Sequence, residues 1–170
     1  MNEETIKLIL DIIPLILSVI AIIISICSIY KQTKLHLFDK RYDVFTILSF
    51  LVSVSQQIID NKDTPDQELL STSRNAYIEA VSPLEQKGNN GDLKAFYHNL
   101  CLSAIKVNFL FPKKHTKVCY IFIRKFTKYF PDAIDSKDTE TAKKELSILL
   151  NTMYSEKVLN KLEEYLNIGK

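Results

Sequence analysis

The sequence predicts an all-α protein, with a single N-terminal transmembrane helix continuous with a cytosolic helical bundle of five or six helices. Three observations carry this expectation. Ile12 to Tyr30 reads IIPLILSVIAIIISICSIY, nineteen residues without a charge, and a helix needs about 20 apolar residues to cross a bilayer core. From Lys31 to Asp60 the chain runs on without Gly or Pro. Over all 170 residues there are only 3 Gly and 5 Pro, a depletion that favours helices over turn-rich β structure. Residues 1–33 are therefore read as the N-terminal segment and anchor, and residues 34–170 as one cytosolic α-helical domain of ordinary size.

The apolar run reads as an uncleaved anchor. Its leader, MNEETIKLILD, carries Glu3, Glu4 and Asp11 against Lys7, the wrong sign for a secretory signal. The run is also too long for a signal core and has no small-x-small cleavage site in a suitable place. The far flank holds Lys31, Lys34, Lys40 and Arg41 against Asp39, which puts that side in the cytoplasm and the N-terminus outside. Cys27, Cys101 and Cys119 are odd in number and widely spaced, as suits a reducing compartment. A net charge of +2 excludes a global field for nucleic acid, so any basic site must be local.

Within the anchor, small and polar residues fall on one seam. Steps of three and four from Glu4 pass through Lys7, Asp11, Pro14, Ser18, Ala21, Ser25, Ser28 and Gln32. A strict seven-residue repeat implies helices supercoiling about one another. In lipid, small residues are what allow close approach, so the seam reads as a face for homo-oligomerisation. The sharper alternative reads Pro14, Ser18, Ala21, Ser25 and Ser28 as the weakly polar wall of an oligomeric pore.

Beyond the anchor, Asp39, Asp43, Thr46, Ser53 and Gln57 form one polar stripe. Leu37, Val44, Leu48, Leu51, Val52, Ile58 and Ile59 cover the remaining arc. Val44 to Ile59 is short and rich in Ser, Thr and Gln, so it reads as a bundle helix rather than a second span. NKDTPDQ breaks the helix, and Thr64, Pro65 and Gln67 form a capping-box start. The helix from Pro65 is expected to bury Leu69, Ala76, Tyr77, Ala80 and Leu84, with Pro83 bending or ending it. QKGNNGD is a loop. Asp92 opens a helix with a core stripe of Leu93, Phe96, Tyr97, Leu100, Ala104, Val107 and Phe111, stopped by Pro112. His115 to Phe130 follows, with Val118, Phe122, Phe126 and Tyr129 on its apolar side. After PDAIDSKD, the stripe Ala142, Leu146, Leu149, Leu150 and Met153 swings to Val158, Leu162 and Tyr165, which predicts two helices, the second from Ser155.

The polar side of the His115 helix is a candidate anion site. Lys113, Lys114, Lys117, Arg124, Lys125 and Lys128 meet no acid between Lys113 and Tyr129. Two lysines at a helix N-terminus oppose its dipole, an arrangement eased by a bound anion. The stripe fits membrane lipids or a nucleic-acid backbone, and equally a plain solvated face. A protein partner for the cytosolic domain is also open. His98, Cys101, His115 and Cys119 have superficial zinc spacing. Folded as a hairpin about Pro112, however, they fall at mismatched heights. No metal or other cofactor is expected, and no catalytic assembly is evident, so the chain reads as non-enzymatic.

Two local resemblances extend this reading. LFDKRYDVF at Leu37 to Phe45 resembles the LF(D/E)KR(Y/F)xVY motif of small uncharacterised bacterial single-pass membrane proteins. FLF at Phe109 to Phe111 resembles a second motif of that group. RNAYIE, with Arg74, Asn75 and Glu79, resembles the RNxxxH signature of HEPN ribonuclease domains, which are also all-α. Glu79 stands where the catalytic His would be, so the motif is degenerate. Anchor, short helical domain and degenerate motif together are similar to the small membrane accessory proteins of type VI-B CRISPR systems. That similarity implies an oligomeric pore in the bacterial inner membrane, acting in antiviral defence. The HEPN-like resemblance also leaves open a membrane-tethered RNA-binding or ribonuclease domain.

Overall fold

One helix, α1 (Glu3–Asp60), takes up 58 residues of the chain. The computed structural model describes residues 3–60, 67–81, 93–134 and 139–166. All the regular structure among them is helical: α2 (Gln67–Val81), α3 (Leu93–Ala104), α4 (Val107–Leu110), α5 (Lys113–Ile134), α6 (Thr139–Ser155) and α7 (Val158–Glu163). With α3 and α4 taken as one broken helix, six remain, the upper end of the expected range. The chain divides by packing into Met1–Asp39 and Lys40–Lys170.

In the first unit, residues 12–39 are exposed throughout. The most apolar eighteen-residue window of α1 has a mean hydropathy of 2.9 and no buried residue. The helix is thus long and apolar enough to cross a membrane.

The second unit is built around α5. It packs most extensively on α6 and also on α3, α4 and α7. Its buried stripe is Cys119, Phe122, Ile123, Phe126, Phe130 and Ala133. The expected face named Phe122 and Phe126 correctly, but Val118 and Tyr129 are only half-buried. With several helices packed around it, α5 buries a wider arc than a single stripe. Pro131, expected to lie past the helix end, sits inside α5. Continuing the helix past it buries Ala133, which offsets the one backbone hydrogen bond that proline removes.

The α1 segment of this unit buries Val44, Ile47, Leu48, Leu51, Val52, Val54 and Ile58. Val44 to Ile59 is therefore a bundle helix. Asp39, Asp43 and Ser53 of the expected polar stripe are exposed. Leu37, placed by the sequence on the apolar arc, is 37% exposed and falls in the first unit. Ser55 is buried, but its hydroxyl donates to the Leu51 carbonyl at 2.8 Å. Among the described residues, no buried side-chain nitrogen or oxygen lacks a partner.

Two junctions differ from the sequence reading. The expected single helix ending at Phe111 breaks after Ala104. Lys106 N–H and Asn108 N–H donate three residues back, to Ser103 and Ile105, in tightened turns. The stripe survives because the break is short: Phe96, Tyr97, Ala104, Val107 and Phe111 are all buried. Among the described side chains of α2, Leu70 is fully buried, whereas Ala76 is exposed. Tyr77, seven residues on from Leu70, packs its ring 4.5 Å from that of Phe50 and turns the helix to this face. The start at Thr64 and Pro65, the side chains of Leu69 and Ala80, the bend at Pro83, Leu84, the loop 86–92 and the Asp92 cap lie outside the described residues.

The buried stripe follows expectation over most of its length: Ala142, Leu146, Leu149, Leu150 and Met153 are buried on α6, and Val158 and Leu162 on α7. Tyr165 is only half-buried and lies past α7, and Ser155, expected to open the second helix, instead ends α6, with α7 starting at Val158. The change of face is made at Lys157, which takes the left-handed conformation at φ 50°.

Candidate functional site

Three sets of residues are candidates. The first is the seam of the apolar run. Pro14, Ser18, Ala21, Ser25 and Ser28 are all exposed along α1, spanning about 21 Å from first to last at 1.5 Å per residue. Ser18 Oγ donates to the Pro14 carbonyl at 2.7 Å, and Ser25 Oγ to the Ala21 carbonyl at 2.8 Å. Each of these hydroxyls thus closes on a seam residue one turn back. Hydrogen-bonded this way, they can enter hydrocarbon without orphaned donors. What the face offers a neighbour is small side chains and weak acceptors, which permit close approach of backbones.

The second set is the basic face of α5. Lys113, Lys114, Lys117, Arg124 and Lys128 are exposed. Arg124 lies 5.8 Å from the Tyr120 ring centre and Lys128 lies 4.9 Å from that of Tyr129, so aromatic faces prop both cations outward. Lys125 belongs elsewhere: its Nζ meets Glu145 Oε2 on α6 at 3.1 Å. Five of the six basic residues therefore form the face, and Lys125 ties α5 to α6.

The third set is the HEPN-like triplet. Arg74 is half-buried and donates through Nε and Nη2 to Asn75 Oδ1 at 3.3 and 3.1 Å. Burial pushes the Tyr97 phenol well above its ordinary range, and the positive charge of Arg74 pulls it back slightly. The Glu79 side chain lies outside the described residues. Arg74 and Asn75 are thus together, engaged with each other.

His98, Cys101, His115 and Cys119 are not gathered. His98 is exposed and both thiols are buried. Among the described residues, no group of three His, Cys, Asp or Glu is placed to hold a metal ion. Burial pushes the Cys119 thiol up to about 12 and raises that of Cys101 in the same direction, which leaves both poor nucleophiles.

One functional-looking residue escaped the sequence reading in this role. In the sequence Arg41 was legible as a flanking charge and as the Arg of LFDKRYDVF, with no partner assigned. In the structure its Nε donates to the Leu110 carbonyl at 2.8 Å, and its guanidinium lies 5.8 Å from the Phe111 ring and 6.0 Å from the Tyr165 ring. LFDKRYDVF and FLF, the two short motifs, meet at this contact. Their sequence distance hid it, since no periodicity links them.

Compared with known proteins, the chain matches no family model, no curated protein and no solved structure.

Proposed function

We propose that this chain is a single-pass protein of the bacterial inner membrane, self-associating through its anchor and acting on the membrane as a pore or depolarising effector. The N-terminus lies outside and the α5-centred domain lies in the cytoplasm, where Lys31, Lys34, Lys40 and Arg41 hold it. A role in antiviral defence follows from the resemblance to small membrane accessory proteins, and its supports are RNAYIE and the anchored helical architecture. The observation that carries the reading is the exposed seam on an otherwise apolar helix.

The test is to replace Ser18, Ser25 and Ser28 together by Leu. The helix stays apolar, so insertion is retained, but every close contact on that face gains bulk. The expected result is loss of the oligomer in detergent and loss of dye leakage from liposomes. Leucines at Val19, Ile22 and Ile26, off the seam, should change neither. An oligomer unaffected by the triple Ser substitution removes the seam from the account. A wild-type oligomer that never conducts leaves a packing role without a pore. The inward-closed hydroxyls of Ser18 and Ser25 favour that second reading, since they offer no donor to a lumen.

A further inference from the structure

Phe109 is 86% exposed, more than any other large apolar side chain among the described residues. Its neighbours in sequence are held: Phe111 is buried, and the Leu110 carbonyl accepts from Arg41. The Phe109 ring therefore stands on a pinned turn. Leu102, seven residues earlier, is 53% exposed, and Lys106, Lys113 and Lys114, within five residues of Phe109 in sequence, are exposed too. From Leu93 to Pro131 the chain has eight Lys and Arg and no Asp or Glu, against a net charge of only +2 overall.

Exposed apolar side chains flanked in sequence by exposed lysines have the make-up of an interfacial membrane contact. The apolar groups enter the headgroup–acyl boundary and the cations meet lipid phosphates. Chain connection favours the same partner, since the apolar run of α1 belongs to the same chain. A second copy would set lysines against lysines. A nucleic acid would find a stacking surface in Phe109 but none in aliphatic Leu102.

We propose that Phe109 and Leu102 insert into an anionic membrane leaflet, with Lys106, Lys113 and Lys114 paired to lipid phosphates. This rests on the anchor reading alone and needs no pore. The chain has no Trp, so Phe109→Trp in the full-length protein is a unique probe. It is placed in bilayer discs of phosphatidylcholine with phosphatidylserine, with or without brominated acyl chains. Its emission should move to the blue and fall about twofold on bromination. The exposed Ser53→Trp, about 18 Å further along α1 from Arg41, should not respond. Lys106, Lys113 and Lys114 replaced by Gln, in the Phe109→Trp chain, should abolish the response while the protein stays in the disc. Emission indifferent to bromination overturns the proposal, as does a response to single-stranded RNA in its place. Equal quenching in pure phosphatidylcholine overturns the anionic requirement. A chain that fails to enter discs at all overturns both this and the anchor.

Discussion

Arg41 and Leu110 are joined across 69 positions of sequence by one hydrogen bond, Arg41 Nε to the Leu110 carbonyl at 2.8 Å. The same guanidinium lies close to the rings of Phe111 and Tyr165, so one side chain fastens α1 to the α4–α5 turn and to the segment after α7. A charge-bearing hydrogen bond that is partly buried contributes about 1.5–3 kcal/mol. Arg41→Met should lower domain stability by about that amount, read from the denaturant midpoint in detergent. Arg41→Lys should recover little of it, because an ammonium lacks the planar fork that bonds the carbonyl while lying against the rings. A lysine variant of wild-type stability would show that charge alone matters.

The buried thiols and Tyr97 make the domain sensitive to alkali. Each has a folded pKa raised above its unfolded value, so each stays protonated in the fold after the unfolded chain has lost its proton. For Cys119 the stabilisation is complete below the unfolded thiol value near 9 and is lost as pH climbs toward its folded value of about 12; Cys101 acts in the same direction, and Tyr97 joins only above its unfolded value of 10. In that window Cys119 lowers stability by about 1.4 kcal/mol per pH unit. Melting curves between pH 8 and 11 should therefore fall progressively above 9. Cys119→Ala and Cys101→Ala should flatten the fall. At neutral pH, a maleimide should leave both thiols unmodified until the domain is denatured.

Lys157 occupies a left-handed conformation at φ 50°, which costs a residue with a Cβ about 1 kcal/mol. Lys157→Gly should relieve most of that and raise the melting temperature, whereas Lys157→Val should lower it. A glycine variant with unchanged stability would mean that the α6–α7 junction adjusts without cost.

The α5 cations divide by role. Reversing Lys117, Arg124 and Lys128 to Glu should weaken binding to anionic liposomes, with an effect that shrinks as salt rises. Lys125→Gln should leave that binding unaltered and cost the fold at most about 1 kcal/mol, because its partner Glu145 is only partly screened. Loss of liposome binding in Lys125→Gln would put that residue back on the basic face.

Topology is open to a direct measurement. A reporter fused after Lys170 should be active only in the cytoplasm. Activity in the periplasm would reverse the orientation argued from Lys31, Lys34, Lys40 and Arg41.

The sequence by itself determined what local chemistry decides. Helicity follows from spacing and from the scarcity of Gly and Pro, and a helix long and apolar enough to cross a membrane from the uncharged run. The α6 and α7 core stripes also follow, because one face of a helix is buried by residues three and four apart. The α6–α7 break was visible as a swing of that stripe. Other features were decided by neighbours distant in sequence. Leu70 rather than Ala76 faces inward because Tyr77 meets Phe50. Pro131 is carried inside α5 because Ala133 has a buried place to fill. Lys125 leaves the basic face because Glu145 stands opposite on α6. Arg41 clasps Leu110, and Phe109 beside it is left in the open. Periodicity reports which face of a helix turns inward, but not what stands there to receive it, since that depends on contacts between segments the chain brings together only on folding.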